Sequence, residues 1–172
     1  MTYHIRVLAP DDAAAYQPVR LHALQEHPEA FGSSFEDEVS LPPDVVATRL
    51  AETPDGFTLG AWQNDTLVGI VGLHRPTRVK LRHRAGVGGM YIVPRARGLG
   101  MGKAMMQALI NRAPTLKHLE EIILAVTVGN DAARSIYLAT GFEPSHIEKR
   151  YIKVGERYYD IEWMTLRLGS FQ

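Results

Sequence analysis

The stretch that decides how this chain folds is residues 90–103, Met-Tyr-Ile-Val-Pro-Arg-Ala-Arg-Gly-Leu-Gly-Met-Gly-Lys. Its apolar start predicts the end of a strand, its glycines predict a loop, and residues 101–113 predict a helix. Glycine lets the backbone approach a ligand closely, and the first N–H groups of a helix carry partial positive charge. The stretch therefore predicts an anion cradle, and phosphate is the anion we favour.

Two familiar phosphate loops do not match this spacing. A Walker loop would need glycine at Arg97 and a hydroxyl residue at Ala104, and a dinucleotide fingerprint that starts at Gly98 would need glycine at Lys103. One structural alternative stays open, in which the glycines only allow a tight turn between a strand and a helix.

Charge is distributed unevenly along a chain whose net charge is 0. Residues 1–65 hold eleven Asp and Glu against three Lys and Arg, whereas residues 66–119 hold ten Lys and Arg and no acid. A basic middle in a neutral chain indicates a local anionic ligand, although a solvated basic face is the alternative. Nucleic acid is a weaker interpretation, because Tyr91 is the one aromatic residue among these bases.

Length and composition indicate a soluble globular protein. The 172 residues, 45% of them hydrophobic, predict a single domain over 1–172. The absence of cysteine excludes disulfides and thiolate chemistry, and no spacing typical of a metal site occurs. No apolar run is long enough to cross a membrane and the N-terminus lacks an apolar leader, so we expect a cytoplasmic location.

Hydrophobic patterns outward from residues 90–103 predict an α/β (α+β) fold, with a single mixed, mostly antiparallel sheet of about seven strands and about four flanking helices. The predicted strands are 3–8, 57–63, 66–75, 80–93, 121–128, 142–153 and 157–168. The predicted helices are one between Asp12 and Pro28 and those over 43–51, 101–113 and 130–140. Asn64-Asp65 predicts a hairpin turn, residues 86–89 predict a bulge, and residues 31–38 predict a loop.

Two motifs, one after the other along the chain, resemble those of the GNAT superfamily of N-acetyltransferases. Residues 97–102 are similar to its pyrophosphate motif [RQ]xxGx[GA], and Asn130, Tyr137 and Gly141-Phe142 are similar to its pattern after the fifth strand. The resemblance covers about residues 80–168.

This resemblance implies acetyl-CoA as co-substrate and a role for each matching residue. The backbone of Met90, Tyr91 and Ile92 would face the acetyl-pantetheine arm, and Asn130 would contact the pantetheine. Tyr137 would act as general acid toward the sulfur. The pyrophosphate would be held by Arg97, Gly98, Leu99, Gly100, Met101, Gly102 and Lys103. A helix N-cap for Asn130 and a core aromatic for Tyr137 are the structural alternatives.

The implied function is acetyl-CoA-dependent N-acetyl transfer to a primary amine by direct attack, with a small-molecule amine or a protein N-terminus as acceptor. The alternative is a non-catalytic acyl-CoA-binding regulatory module, and a homodimer is left open. Many family members carry a glutamate where this chain has Ala125. Glu36, His74, Glu162 or a water chain could instead accept the proton from the amine.

The acceptor's charge is predicted from residues 31–38, where Glu36, Asp37 and Glu38 follow two aromatic residues. If this segment overhangs the reacting group, it would attract a cationic acceptor with an apolar body. The alternative is that the three acids only solvate an exposed loop.

Overall fold

The computed structural model describes residues 2–169 and places a seven-stranded sheet at its centre, in the order β1-β2-β3-β4-β5-β7-β6. The strands are β1 His4–Val7, β2 Gly56–Gln63, β3 Thr66–His74, β4 Arg84–Ile92, β5 Glu121–Thr127, β6 Glu143–Val154 and β7 Arg157–Arg167. Neighbouring strands are antiparallel except β4 and β5, which are parallel. The predicted fold class is confirmed.

Within residues 2–169, five α-helices accompany the sheet: α1 Ala13–Glu26, α2 Phe35–Glu38, α3 Pro43–Leu50, α4 Met101–Arg112 and α5 Asp131–Ala139. One core cluster joins Ala23 of α1 and Leu50 of α3 to Ile70 of β3. A second cluster joins Met105 and Leu109 of α4 to the other face of the sheet. Every residue of β2 is buried, because helices cover both faces of the sheet there.

Two segments differ from the sequence prediction. The expected loop over 31–38 contains the single turn α2, which is capped locally: the Ser34 hydroxyl accepts the Asp37 N–H at 3.1 Å, and the Asp37 carboxylate accepts the Ser34 N–H at 2.8 Å. The strand expected over 80–93 begins only at Arg84. Its ladder with β5 starts at Arg84 and its ladder with β3 ends at Gly86, so residues 80–83 have no strand to pair with.

Two predicted local features are confirmed. Asn64 and Asp65 have φ values of 45° and 60°, the left-handed conformation that a two-residue hairpin turn requires. In β4 the pairing passes from Ile70 and Tyr91 to Gly72 and Gly88, so two β4 residues lie opposite one residue of β3. This is a bulge, and its Gly89 has φ 64°.

The parallel strands β4 and β5 separate soon after they meet. Their ladder has three residue pairs, from Arg84 with Glu121 to Gly86 with Ile123. Beyond it, residues 87–92 and 124–127 face each other across an open cleft. This separation positions the candidate site. None of the described helices is both long and apolar enough to span a membrane.

Candidate active site

The wide end of the cleft opens into a cavity of about 820 Å³, which we call the glycine-loop cavity. Ten of the predicted cofactor residues line it: Met90, Tyr91, Ile92, Arg97, Gly98, Gly100, Met101, Gly102, Lys103 and Asn130. Leu99 does not line it and is 52% exposed. The volume lies in the range of pockets that hold cofactors and other small molecules.

The glycines of this loop have two different structural roles. Gly98 and Gly100 have φ values of 77° and 74°, and a Cβ on either would meet nothing within 4 Å. Their backbones therefore adopt a conformation that favours glycine and face open space in front of α4. Gly102 is different, because a Cβ there would lie 2.6 Å from Cδ1 of Ile136. It allows α4 and α5 to pack closely.

Arg97 is held at the edge of the glycine-loop cavity by an acid that the sequence analysis did not single out. Its Nη1 and Nη2 donate to the two carboxylate oxygens of Glu26 at 3.1 and 2.9 Å, and its Nε donates to the Ile92 carbonyl at 2.9 Å. The buried Tyr91 hydroxyl also donates to Glu26. The hydrogen bonds from Arg97 and then from Tyr91 hold the pKa of Glu26 below its usual range. Arg97 is therefore oriented before any ligand binds.

The edge of β4 that faces the cleft pairs with no described strand after Gly86. Backbone groups of Val87 to Ile92 on that edge are therefore exposed to the cleft. An extended chain of a ligand can bind such an edge as an additional strand does. The side chain of Tyr91 points away, into the core cluster beneath α1.

A second cavity of about 560 Å³ lies in the same cleft, between residues 86–90 and 123–127, and we call it the aromatic cavity. It shares five lining residues with the first: Ala30, Met90, Thr127, Asn130 and Ala133. Phe31, Tyr137, Tyr151 and Trp163 give it aromatic walls. The two cavities meet where β4 and β5 separate.

Tyr137 lines the aromatic cavity and also packs in the core. It is 7% exposed, and its ring lies edge-on to Phe142 at 6.2 Å between centroids. Burial raises the pKa of its hydroxyl to about 12. Asn130 was expected either at the cofactor site or as a helix N-cap, and its position fits both. It lines both cavities, and its side-chain oxygen caps α5 by accepting the Ala133 N–H at 3.3 Å.

The structure separates the candidate bases from one another. Glu162 alternates with Ile161 and Trp163 along β7, so it faces away from the aromatic cavity and binds Arg134 at 2.6 Å. Glu36 is exposed on α2. His74 lines a smaller cavity of about 440 Å³, named the Arg49 cavity after another of its lining residues, and burial lowers its pKa.

Residues 31–33 of the segment 31–38 line the aromatic cavity, and Glu36 lines an adjoining cavity of about 860 Å³ that shares Phe31 and Tyr151 with it. Asp37 caps α2, and Glu38 is 6% exposed and turned toward Arg20. Among the described residues that line the aromatic cavity, Arg20 is the one that carries a formal charge. The cationic acceptor therefore stays a prediction.

The sequence and the fold were compared with those of known proteins. A model of the acetyltransferase (GNAT) family matches residues 19–142. Mycothiol acetyltransferase from Renibacterium salmoninarum is 33% identical over 144 residues, which are 80% of this chain and 40% of that protein. N-alpha-acetyltransferase RimI from Mycobacterium tuberculosis is 28% identical over 148 residues, which are 80% of this chain and 87% of that protein.

Solved structures share the fold at low sequence identity. A GNAT-family acetyltransferase from Streptococcus pneumoniae has a TM-score of 0.83 at 24% identity, covering 97% of this chain and 100% of that one. The putative acetyltransferase yncA from Salmonella typhimurium, solved with acetyl-CoA, has a TM-score of 0.84 at 18% identity, covering 100% and 97%. The resemblance carried by residues 97–102 and 130–142 is thus confirmed, and the chain belongs to the acetyltransferase (GNAT) family.

Proposed function

We propose that this protein transfers an acetyl group from acetyl-CoA to a primary amine by direct attack. The observation that carries this proposal is the cleft between β4 and β5, which joins a glycine-lined cavity to an aromatic-walled one. A long cofactor in one cavity and a separate acceptor in the other can therefore approach the same point of the cleft. The relatives named as acetyltransferases and the neighbour solved with acetyl-CoA support the same assignment.

The residues present fit acetyl-CoA. Gly98, Gly100 and the first turn of α4 offer backbone N–H groups and partial positive charge to a pyrophosphate, and the exposed Lys103 adds a full charge. Arg97 supplies a planar guanidinium at the same cavity, a group suited to phosphate oxygens. The unpaired edge of β4 offers hydrogen bonds to the amide groups of a pantetheine arm.

When bound, acetyl-CoA would supply an activated thioester carbonyl. The amine nitrogen would form a bond to that carbon, the carbon–sulfur bond would break to release the CoA thiolate, the nitrogen would give up one proton to water, and the thiolate would take up one proton from water. A backbone N–H on the β4 edge near Met90 stabilises negative charge on the carbonyl oxygen. A preorganised donor of this kind contributes on the order of 10² to 10³ in rate. The Tyr137 hydroxyl donates a hydrogen bond to the departing sulfur.

The acceptor amine must be neutral to attack, and the aromatic cavity favours that form. Its described lining residues include no carboxylate, and the charge of Arg20 is balanced by its ion pair with Glu38. Apolar surroundings disfavour an ammonium ion, so they lower the amine pKa. Water then carries the proton to solvent, which makes a glutamate at position 125 unnecessary.

Release of the CoA thiol in the presence of a panel of amines tests this function. Gly100→Asp places a carboxylate in the proposed pyrophosphate site, and we expect acetyl-CoA affinity and turnover to collapse. Gly155→Asp is the matched control, because Gly155 also has positive φ with open space at its Cβ but lies at the β6–β7 turn. Tight acetyl-CoA binding without thiol release from any amine would instead favour the regulatory module.

A further inference from the structure

Arg20 is a nearly buried cation with one side still available to a ligand. Its side chain is 11% exposed, and its Nε and Nη2 donate to the two carboxylate oxygens of Glu38 at 3.1 and 2.9 Å. No hydrogen bond to a described residue engages Nη1. A Cβ on Gly89 would lie 3.6 Å from this nitrogen, so Nη1 is directed toward the β4 bulge.

The bulge places this nitrogen close to where the reaction is proposed to occur. Gly89 precedes Met90, whose backbone edge is proposed to face the thioester, and neither Gly88 nor Gly89 carries a side chain that would cover Arg20. The guanidinium also lies 5.2 Å from the centre of the Phe31 ring, which holds it against one wall of the aromatic cavity.

The charge around Arg20 favours an oxygen ligand. Glu38 balances the charge of Arg20, but Arg49 lines the neighbouring cavity, and its positive charge acts on Glu38 as well. Arg20 and Ser33 line both the Arg49 cavity and the aromatic cavity. The pair of Arg20 and Glu38 is neutral as a whole, and Arg49 adds a positive charge on the side of the Arg49 cavity.

We propose that Nη1 of Arg20 binds an oxygen atom next to the acceptor's amine, so that the acceptor is an α-amine with an adjacent carboxylate or carbonyl group, held among the aromatic walls. Amino acids and peptide N-termini share this chemistry. The inference rests on the proposed function and deepens it by specifying the acceptor class. Because Nη1 lies at the bulge, the oxygen it binds must be close to the attacking nitrogen.

Three acceptors that differ only beside the amine test the inference: phenylalanine, phenylalaninamide and phenethylamine. Their pH-independent values of kcat/KM are compared, since their amine pKa values differ. We expect at least one of the first two to exceed phenethylamine by about tenfold or more, as for a hydrogen bond to a charged donor. Preference for phenylalanine identifies amino acids as acceptors, and preference for its amide identifies peptide N-termini.

Variants of Arg20 must remove this preference. Arg20→Lys keeps the charge facing Glu38 but loses the Nη1 donors, so kcat/KM for the preferred acceptor should fall to the phenethylamine value. The variant Arg20→Met with Glu38→Met removes both buried charges together and keeps the test available if the lysine variant is unstable. Arg6→Lys is the matched control, because Arg6 also makes a two-point pair, with Asp12, outside both cavities.

Failure of the inference and failure of the proposed function give different results. Equal kcat/KM for the three amines, or preference retained in Arg20→Lys, overturns the role of Arg20 while acetyl transfer stands. If no amine releases CoA, the proposed function fails, and calorimetric binding of N-acetylphenylalanine against N-acetylphenethylamine still tests Arg20. Equal affinity of these two compounds for the wild-type protein also overturns the inference.

Discussion

Removal of the Tyr137 hydroxyl, by the substitution Tyr137→Phe, tests how the departing sulfur is stabilised. Burial raises the pKa of this hydroxyl to about 12, whereas a thiol ordinarily has a pKa of about 8.5. Tyr137 therefore holds its proton more tightly than an ordinary tyrosine does. We therefore expect the hydroxyl to contribute mainly as a hydrogen-bond donor to the sulfur.

A hydrogen bond to a charged group contributes about 1.5 to 3 kcal/mol, so we expect kcat to fall by about 10- to 100-fold in Tyr137→Phe. Because the interaction forms as charge develops on sulfur, the Kd for acetyl-CoA should change little. Steady-state kinetics and calorimetry measure the two quantities. Tyr158→Phe is the control, since Tyr158 is 43% exposed on β7 and lines neither cavity.

The pH dependence of kcat provides an independent check. A hydroxyl with a pKa of about 12 remains protonated up to about pH 11, so Tyr137 should cause no alkaline loss of kcat near pH 10, the ordinary pKa of tyrosine. Circular dichroism at each pH confirms that the protein stays folded. An alkaline loss near pH 10 that disappears in Tyr137→Phe, or an unchanged kcat in that variant, would refute the reasoning.

Three further predictions follow from contacts at the site. Gly102→Val overpacks the contact with Ile136 and should lower the free energy of unfolding by about 1 to 3 kcal/mol in thermal denaturation, with part of the loss restored by Ile136→Ala in the same chain. Glu26→Gln removes an acid that competes with pyrophosphate for Arg97, so the Kd for acetyl-CoA should fall by about two- to fivefold in calorimetry. Burial alone would raise the pKa of Glu38, but the hydrogen bonds and the charge of Arg20 outweigh it, so the pKa is lowered on folding. The Arg20–Glu38 pair therefore stabilises the folded protein fully above the unfolded-state pKa of about 4.3, and this stabilisation is lost as the pH falls through the lower folded-state pKa. Denaturant unfolding of Glu38→Gln should show a weaker pH dependence in that acidic range; an identical dependence contradicts the pairing.

Much of the fold could be predicted because its signals are local. The turn at Asn64-Asp65 depends on two adjacent residues that tolerate positive φ, and the β4 bulge depends on adjacent glycines. The single turn α2 was missed because four residues are too few for a helical hydrophobic period, although Ser34 and Asp37 carry the spacing of a capping pair.

The site was only partly predictable, because its key ion pairs join distant parts of the chain. Glu26 and Arg97 are 71 residues apart, and Arg20 and Glu38 are 18 residues apart on different helices. A charge count along the sequence does not reveal which carboxylates turn inward to a partner. It therefore did not reveal that Glu38 pairs with Arg20 at the wall of the aromatic cavity.

The short ladder between β4 and β5 has a consequence for how the protein opens. Within the sheet, three residue pairs join the half formed by β1 to β4 to the half formed by β5 to β7. Local unfolding in proteins proceeds in cooperative units, and so sparse a connection favours separate opening of the two halves. A ligand that touches both edges of the cleft couples them, so we expect acetyl-CoA to slow amide hydrogen exchange most strongly in residues 87–92 and 124–127 and to make the two halves open as one unit.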